Sequence, residues 1–168
     1  AELKEDMYRQ LTTSKVISPK RGTIYDSTGK ALAISAQVDT VSVDPTQIVV
    51  KNEDEEAAKL LTQQLREKVA KAFSDIFELD YDETLKKVSS DSTNVTIARK
   101  VENDKIEKLE NWMKENKVYS GINIDEDTKR YYPYNNLASN LIGFCGTDNQ
   151  GLWGLESKWN DILTGTPG

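Results

Sequence analysis

Two serines stand at spacings that could support acyl transfer: Ser27-Thr28-Gly29-Lys30 is a Ser-x-x-Lys, and Ser92-Thr93-Asn94 is a Ser-x-Asn. In enzymes that use this set, the serine opens a helix, the lysine follows one turn later, and a Lys-Thr-Gly strand completes the site. Here Gly29 separates Ser27 from Lys30, the neighbouring residues have turn chemistry, and no Lys-Thr-Gly occurs. The pair is expected to be non-catalytic. The absence of histidine excludes more. It removes Ser-His-Asp and Cys-His catalysis, the HExxH zinc site and every zinc set containing His. Cys145 is the single cysteine, so no internal disulfide or CxxC can form. Within Leu-Ile-Gly-Phe-Cys-Gly it is expected as a buried, inert thiol.

Other candidate chemistry is weaker still. Gly143, Gly146, Gly151 and Gly154 do not fit GxGxxG, and no Gly-Lys-Ser/Thr follows them. Asp125-Glu126-Asp127 and Asp148-Asn149 lack the spaced Gly and Glu of a calcium loop. No metal and no cofactor is therefore expected. Pairs of carboxylates could serve glycoside chemistry, but 28 acids offer too many pairs for any one to be informative. Trp112, Trp153 and Trp159 could bind glycans or peptides if exposed. The spacing of Trp112 with Leu109 and Met113, and of Trp159 with Leu155 and Leu163, points to core packing instead.

Composition narrows the class. The 168 residues carry 22 Lys+Arg against 28 Asp+Glu, a net charge of −6. No basic run exceeds two residues, so nucleic acid is not an expected partner. No apolar stretch reaches the 18 or so residues of a membrane span. The sequence opens on Ala-Glu-Leu-Lys without an initiator Met, and reads as a trimmed piece of a longer chain.

The elements follow from periodicity. Residues 1–15 predict a polar helix with Leu3, Met7 and Leu11 on one stripe. Residues 22–35 predict a hairpin that turns at Asp26-Ser27-Thr28-Gly29. A separate strand, Thr40 to Val43, is expected to stop at Asp44-Pro45. Asn52 should cap a helix over 53–77, with Leu61, Leu65, Val69, Ala72, Phe73 and Ile76 as its apolar face. Asp80-x-x-Glu83 and Asp104-x-x-Glu107 read as capping boxes for two further helices, the first over 81–88. Strands are expected at 94–98 and 121–124, and helical pieces at 135–142 and 154–163. The order of strands and helices argues α+β rather than a doubly wound sheet.

Three ordered segments then carry a resemblance. Arg21-Gly22-Thr23-Ile24-Tyr25-Asp26 through Gly29 to Ala33 resembles an RGxIxDRNGxxLA motif. Arg130-Tyr131-Tyr132-Pro133 through Leu137-Ala138 to Gly143-Phe144 resembles RxYPxGxLAxHxxGY. Gly151 through Gly154 and Glu156 to Leu163-Thr164-Gly165 resembles GxxGxExxYxxxLxG. These are motifs of the pedestal ("dimerisation") domain of class B penicillin-binding proteins. Ser27 replaces the family's Arg, Asn135 stands where Gly is frequent, and Asn140 where His is frequent.

The resemblance implies an elongated α+β pedestal. Its β-rich base would be built from the N- and C-terminal motif segments, with a helical or mixed head at about 51–122, inside a domain spanning 21–168. Residues 1–20 would be a juxtamembrane linker. The fragment itself would not be an enzyme. It would scaffold a serine D,D-transpeptidase that crosslinks peptidoglycan, on the extracytoplasmic face of a bacterial plasma membrane, anchored by an N-terminal helix. Partners would be that transpeptidase domain and a SEDS-family glycan polymerase or other cell-wall machinery. The isolated domain is expected as a monomer or weak dimer. An exported glycan- or peptide-binding module is the alternative. Arg21, Gly22, Asp26, Gly29, Arg130, Tyr132, Pro133, Gly143, Gly151, Gly154, Glu156 and Gly165 are the motif positions expected to build the base. Glu156, at a helix start, is expected to bond Arg21 or Arg130.

Overall fold

The computed structural model describes residues 19–134 and 139–166. The expected helix over 1–15, with Leu3, Met7 and Leu11, and the positions Asn135, Leu137 and Ala138 lie outside the described residues. The fold is α+β, with antiparallel pairing in its sheet.

Strand β1 (Ile24–Tyr25) pairs antiparallel with β2 (Ala31–Val43), Ile24 opposite Ala33. Asp26 builds the turn between them. Its Oδ1 accepts from the amides of Thr28 at 2.8 Å and Lys30 at 2.9 Å, and Gly29 takes φ +84°. The two separate strands expected at 31–35 and 40–43 are one. Nothing between Lys30 and Asp44 breaks an extended chain: no Gly or Pro occurs there, and buried Val38 continues the pattern.

β2 also pairs with β3 (Val95–Val101), Val43 opposite Val95, and with β4 (Ile122–Tyr131). Three longer helices form where the sequence predicts helices. Helix α1 is Glu55–Phe77, and its cap is Asp54 rather than Asn52. Asn52 instead accepts from the Asp54 amide. Helix α2 (Tyr81–Val88) is capped as expected, Asp80 accepting from the Glu83 amide at 2.9 Å. Helix α3 (Asn103–Asn116) starts earlier than the Asp104 box implies. β3 runs to Val101 and leaves Glu102 as an N-cap without a side-chain bond. Short helices α4 (Ser139–Ile142), α5 (Gly154–Lys158) and α6 (Asn160–Thr164) close the chain, the helix expected over 154–163 being broken at Trp159.

The chain divides into two compact units, residues 36–129 and residues 1–35 with 130–168. The first has a conventional apolar core: Val41, Val43, Val69, Phe73, Phe77, Val88, Ile97, Leu109 and Ile122 among others. From α1 the core takes Val69 and Phe73, with Leu65 and Ile76 packed against it, whereas Leu61 stays exposed. The second unit is different. Among its described residues the buried ones are the apolar Ala33 and Ile142 and the charged Arg21 and Glu156, and the Arg130 side chain is buried as well. It holds together around charge.

Candidate functional site

All three motif segments meet in the second unit. Glu156 lies in the first turn of α5 and is wholly buried, 0% exposed. Its Oε2 accepts from Arg21 Nε at 2.7 Å, and its Oε1 from Arg130 Nε at 2.8 Å. Arg21 precedes β1 and Arg130 lies near the end of β4, so one carboxylate ties three segments far apart in sequence.

Each arginine spends further donors on backbone and side chains. Arg21 Nη2 donates to the Glu156 carbonyl at 2.7 Å, and its Nη1 to Asn160 Oδ1 at 2.9 Å and Thr164 Oγ1 at 3.0 Å. Arg130 Nη1 donates to the Gly22 carbonyl at 2.7 Å and to Ser35 Oγ at 3.1 Å. Tyr132 donates to Glu156 Oε1 at 3.3 Å and accepts from the Cys145 amide at 3.1 Å. Planar guanidinium forks suit such multiple fixed contacts, which an ammonium would not make.

The motif glycines let backbones close around this knot. A Cβ on Gly151 would sit 1.9 Å from the Glu156 carbonyl oxygen. Gly143 and Gly154 lie against each other, both with positive φ. Gly22 donates its amide to the Leu163 carbonyl at 2.8 Å, and Gly165 lies beside Pro19. Asp26 and Gly29 serve the β1–β2 turn instead, and Pro133 is exposed in the turn after β4.

Electrostatics hold the site in one protonation state. Burial pushes the Glu156 carboxyl up, but the hydrogen bonds from Arg130 and Arg21 outweigh it, and the group titrates below its ordinary 4.5. Burial, the Cys145 hydrogen bond and the Glu156 charge push Tyr132 up. Burial likewise raises Cys145, a half-buried thiol that stays protonated. All three shifts move these groups away from neutrality. Because the folded pKa of Glu156 is depressed, its contribution is complete above the unfolded value and is lost as pH falls through the folded one. Acid titration of stability should therefore show a loss beginning below about pH 4.5, and Glu156→Gln should flatten that limb. An unchanged acid limb would contradict the assignment.

The Ser-x-x-Lys lies apart from this cluster. Ser27 and Lys30 are exposed on the β1–β2 turn, and Ser92 and Asn94 on the loop before β3. Two of the three tryptophans depart from the expected core packing. Trp112 packs against the core, but Trp153 and Trp159 are 54% and 48% exposed. The break at Trp159 disrupts the continuous helix on which its spacing with Leu155 and Leu163 depended.

Asn160, Thr164 and Ser35 belong to the cluster without being among the positions expected to build the base. A signal existed for two of them. Glu156, Asn160 and Thr164 recur at four-residue spacing, a polar stripe in a segment read as helical.

A buried Arg–Glu–Arg tie joins the three separated motifs. A family model described as "Penicillin-binding Protein dimerisation domain" matches residues 16–168. The chain belongs to that family, the pedestal domains of class B penicillin-binding proteins. It is 32% identical over 162 residues to the peptidoglycan D,D-transpeptidase FtsI of Buchnera aphidicola, covering 95% of this chain and 26% of that protein. Penicillin-binding protein 2X of Streptococcus thermophilus shares the fold at TM-score 0.62 and 25% identity, over 92% of this chain and 24% of the other. The fold is also that of the penicillin-binding protein PBP2 of Helicobacter pylori, solved in complex with MreC, at TM-score 0.62 and 18% identity over 91% of this chain and 29% of the other. The chain thus spans about a quarter of the length of the proteins it matches.

Proposed function

We propose that this domain is a non-catalytic scaffold that positions a D,D-transpeptidase domain for peptidoglycan crosslinking. It would act on the extracytoplasmic face of a bacterial plasma membrane, with residues 1–20 as the link to an N-terminal anchor and residues 51–122 as the head. The observation that carries this reading is the Glu156 tie. Both carboxylate oxygens are taken by arginines, and those arginines hold the backbone of the other motifs. The conspicuous ionisable motif residues serve architecture.

A second observation supports a carried domain. Leu141, Phe144, Leu152, Trp153, Trp159 and Ile162 are all exposed, within 22 consecutive residues of one unit. We assign these six exposed apolar side chains to an interaction surface. The relatives are about four times longer than this chain, and the transpeptidase domain is the occupant we assign to that surface. A SEDS-family polymerase or another cell-wall protein is the proposed further partner, as the MreC complex of the H. pylori protein suggests.

Incubation of the chain with a fluorescent penicillin, followed by intact mass, is expected to show no adduct. A covalent adduct at Ser27 would overturn the scaffold reading. The exposed Trp153 and Trp159 favour one other reading, a glycan- or peptide-binding module. Quenching of their fluorescence by peptidoglycan fragments at micromolar concentration would support it over the scaffold.

A further inference from the structure

In the unit 36–129, β3, α3, β4 and the end of α1 line an open pocket of about 340 Å³. Phe77, Ala98 and Val101 give it an apolar wall. Arg99, Lys100, Lys105 and Lys129 bring four cations to it, against the two carboxylates of Glu102 and Asp104. This excess of positive charge lies in a chain whose net charge is −6.

The backbone is bent to make it so. In a regular strand, consecutive side chains point to opposite faces. Between the pairs Asp39–Val101 and Val41–Ala98, however, β3 sets two residues, Arg99 and Lys100, against the single Thr40. This is a β-bulge, a device that re-aims side chains, and here both cations line one pocket. Lys100 has φ +52°, a conformation that favours glycine, yet the residue is lysine. The Lys100 amide donates to Thr40 Oγ1 at 3.3 Å, and the Thr40 hydroxyl donates to Asp127 Oδ2 at 2.9 Å, which fixes the bulge from below. Strain of this kind concentrates where binding uses it.

Two of the cations have exchangeable partners. Lys105 pairs with Glu78 at 3.1 Å and Lys129 with Glu102 at 3.6 Å. In both pairs the lysine is part-exposed and the carboxylate largely in solvent, and pairs so placed contribute little, so an incoming carboxylate can compete with the resident one.

We propose that this pocket docks an extended acidic segment of a partner protein. The partner's carboxylates meet Arg99, Lys100, Lys105 and Lys129, and one apolar side chain rests on Phe77, Ala98 and Val101. The apolar wall favours a peptide over a polyanion that carries only phosphates, which would leave that wall uncovered. The site belongs to one compact unit, so it does not depend on the transpeptidase reading of the domain.

The test is an amide NMR titration of the full chain with the peptide acetyl-Glu-Asp-Leu-Glu-Asp-amide at low salt. Shifts are expected at residues 98–105 and 129, fading at high ionic strength, and absent with the corresponding lysine peptide. Lys105→Glu, whose native partner Glu78 is exposed, is expected to fold normally and to weaken the acidic peptide about fivefold. Lys100→Gly should raise the urea midpoint while weakening the peptide, a split that a purely structural bulge would not give. Shifts elsewhere, equal shifts with the lysine peptide, or unchanged affinity in both variants would overturn the proposal. So would tighter binding of polyphosphate at the same residues, which would make the site one for an anionic polymer.

Discussion

Glu156→Ala is expected to lower the unfolding free energy by about 3–5 kcal/mol, because it leaves two buried guanidinium groups without their counter-charge. The residue is 0% exposed, and its arginine partners have side-chain exposures of 2% and 4%. Desolvation of all three charges is already complete in the native state, and their mutual contacts offset it together with the arginines' bonds to Asn160, Thr164, Ser35 and backbone carbonyls. An exposed pair in the same chain gives the contrast. Lys59 reaches Glu55 at 3.2 Å on α1, with both side chains largely in solvent, and Glu55→Ala should cost under about 0.5 kcal/mol. The loss at Glu156 should also be local. The unit 36–129 has its own apolar core, so the helical circular dichroism of α1 to α3 should persist while residues around the cluster exchange their amides. Urea unfolding together with hydrogen exchange at the Gly22 and Gly151 amides measures both parts. A loss below 1 kcal/mol would mean the cluster carries no weight.

Gly143→Ala is the second large expected effect, and it needs no charge. Gly143 has φ +79°, and an added Cβ would lie 1.8 Å from the Trp153 carbonyl oxygen. The obstacle is backbone on both sides, since Gly154, with φ +62°, closes against the Gly143 amide. No flexible side chain can turn away. The left-handed conformation costs roughly 1 kcal/mol for alanine, and overpacking adds about 1–3 kcal/mol. A total of about 3 kcal/mol is expected, read as a fall in the urea midpoint. By comparison, Gly29→Ala meets no atom within 4 Å and should cost only the conformational part, about 1 kcal/mol. Equal losses at the two positions would show that Gly143 and Trp153 are not in contact.

Much of this was legible in the residues, and the remainder was hidden for identifiable reasons. The capping aspartate at Asp80 announced α2, because an N-cap is decided by a few adjacent residues. The motif arginines and Glu156 could be anticipated as a cluster because ionisable groups set among glycines and a proline imply a fixed backbone around them. That both arginines share the one carboxylate was not legible, since sequence order carries no distance between segments that lie 135 and 26 residues from Glu156. The unbroken β2 was missed because a chain without breakers gives no signal of where pairing stops. Helical spacing places Trp159 in a core, but the helix that should carry it breaks at that residue, between α5 and α6. Periodicity is informative only while the helix lasts.

A double-mutant cycle between Glu156 and Arg130 tests the central claim most directly. Glu156→Ala, Arg130→Ala and the double variant would be unfolded in urea beside the parent chain. If one buried carboxylate ties the motif segments together, the two single losses share a cause, and the double variant should lose less than their sum by about 2–3 kcal/mol. Additive losses within about 0.5 kcal/mol would mean that Glu156 and Arg130 act independently, and the tie described here would not exist.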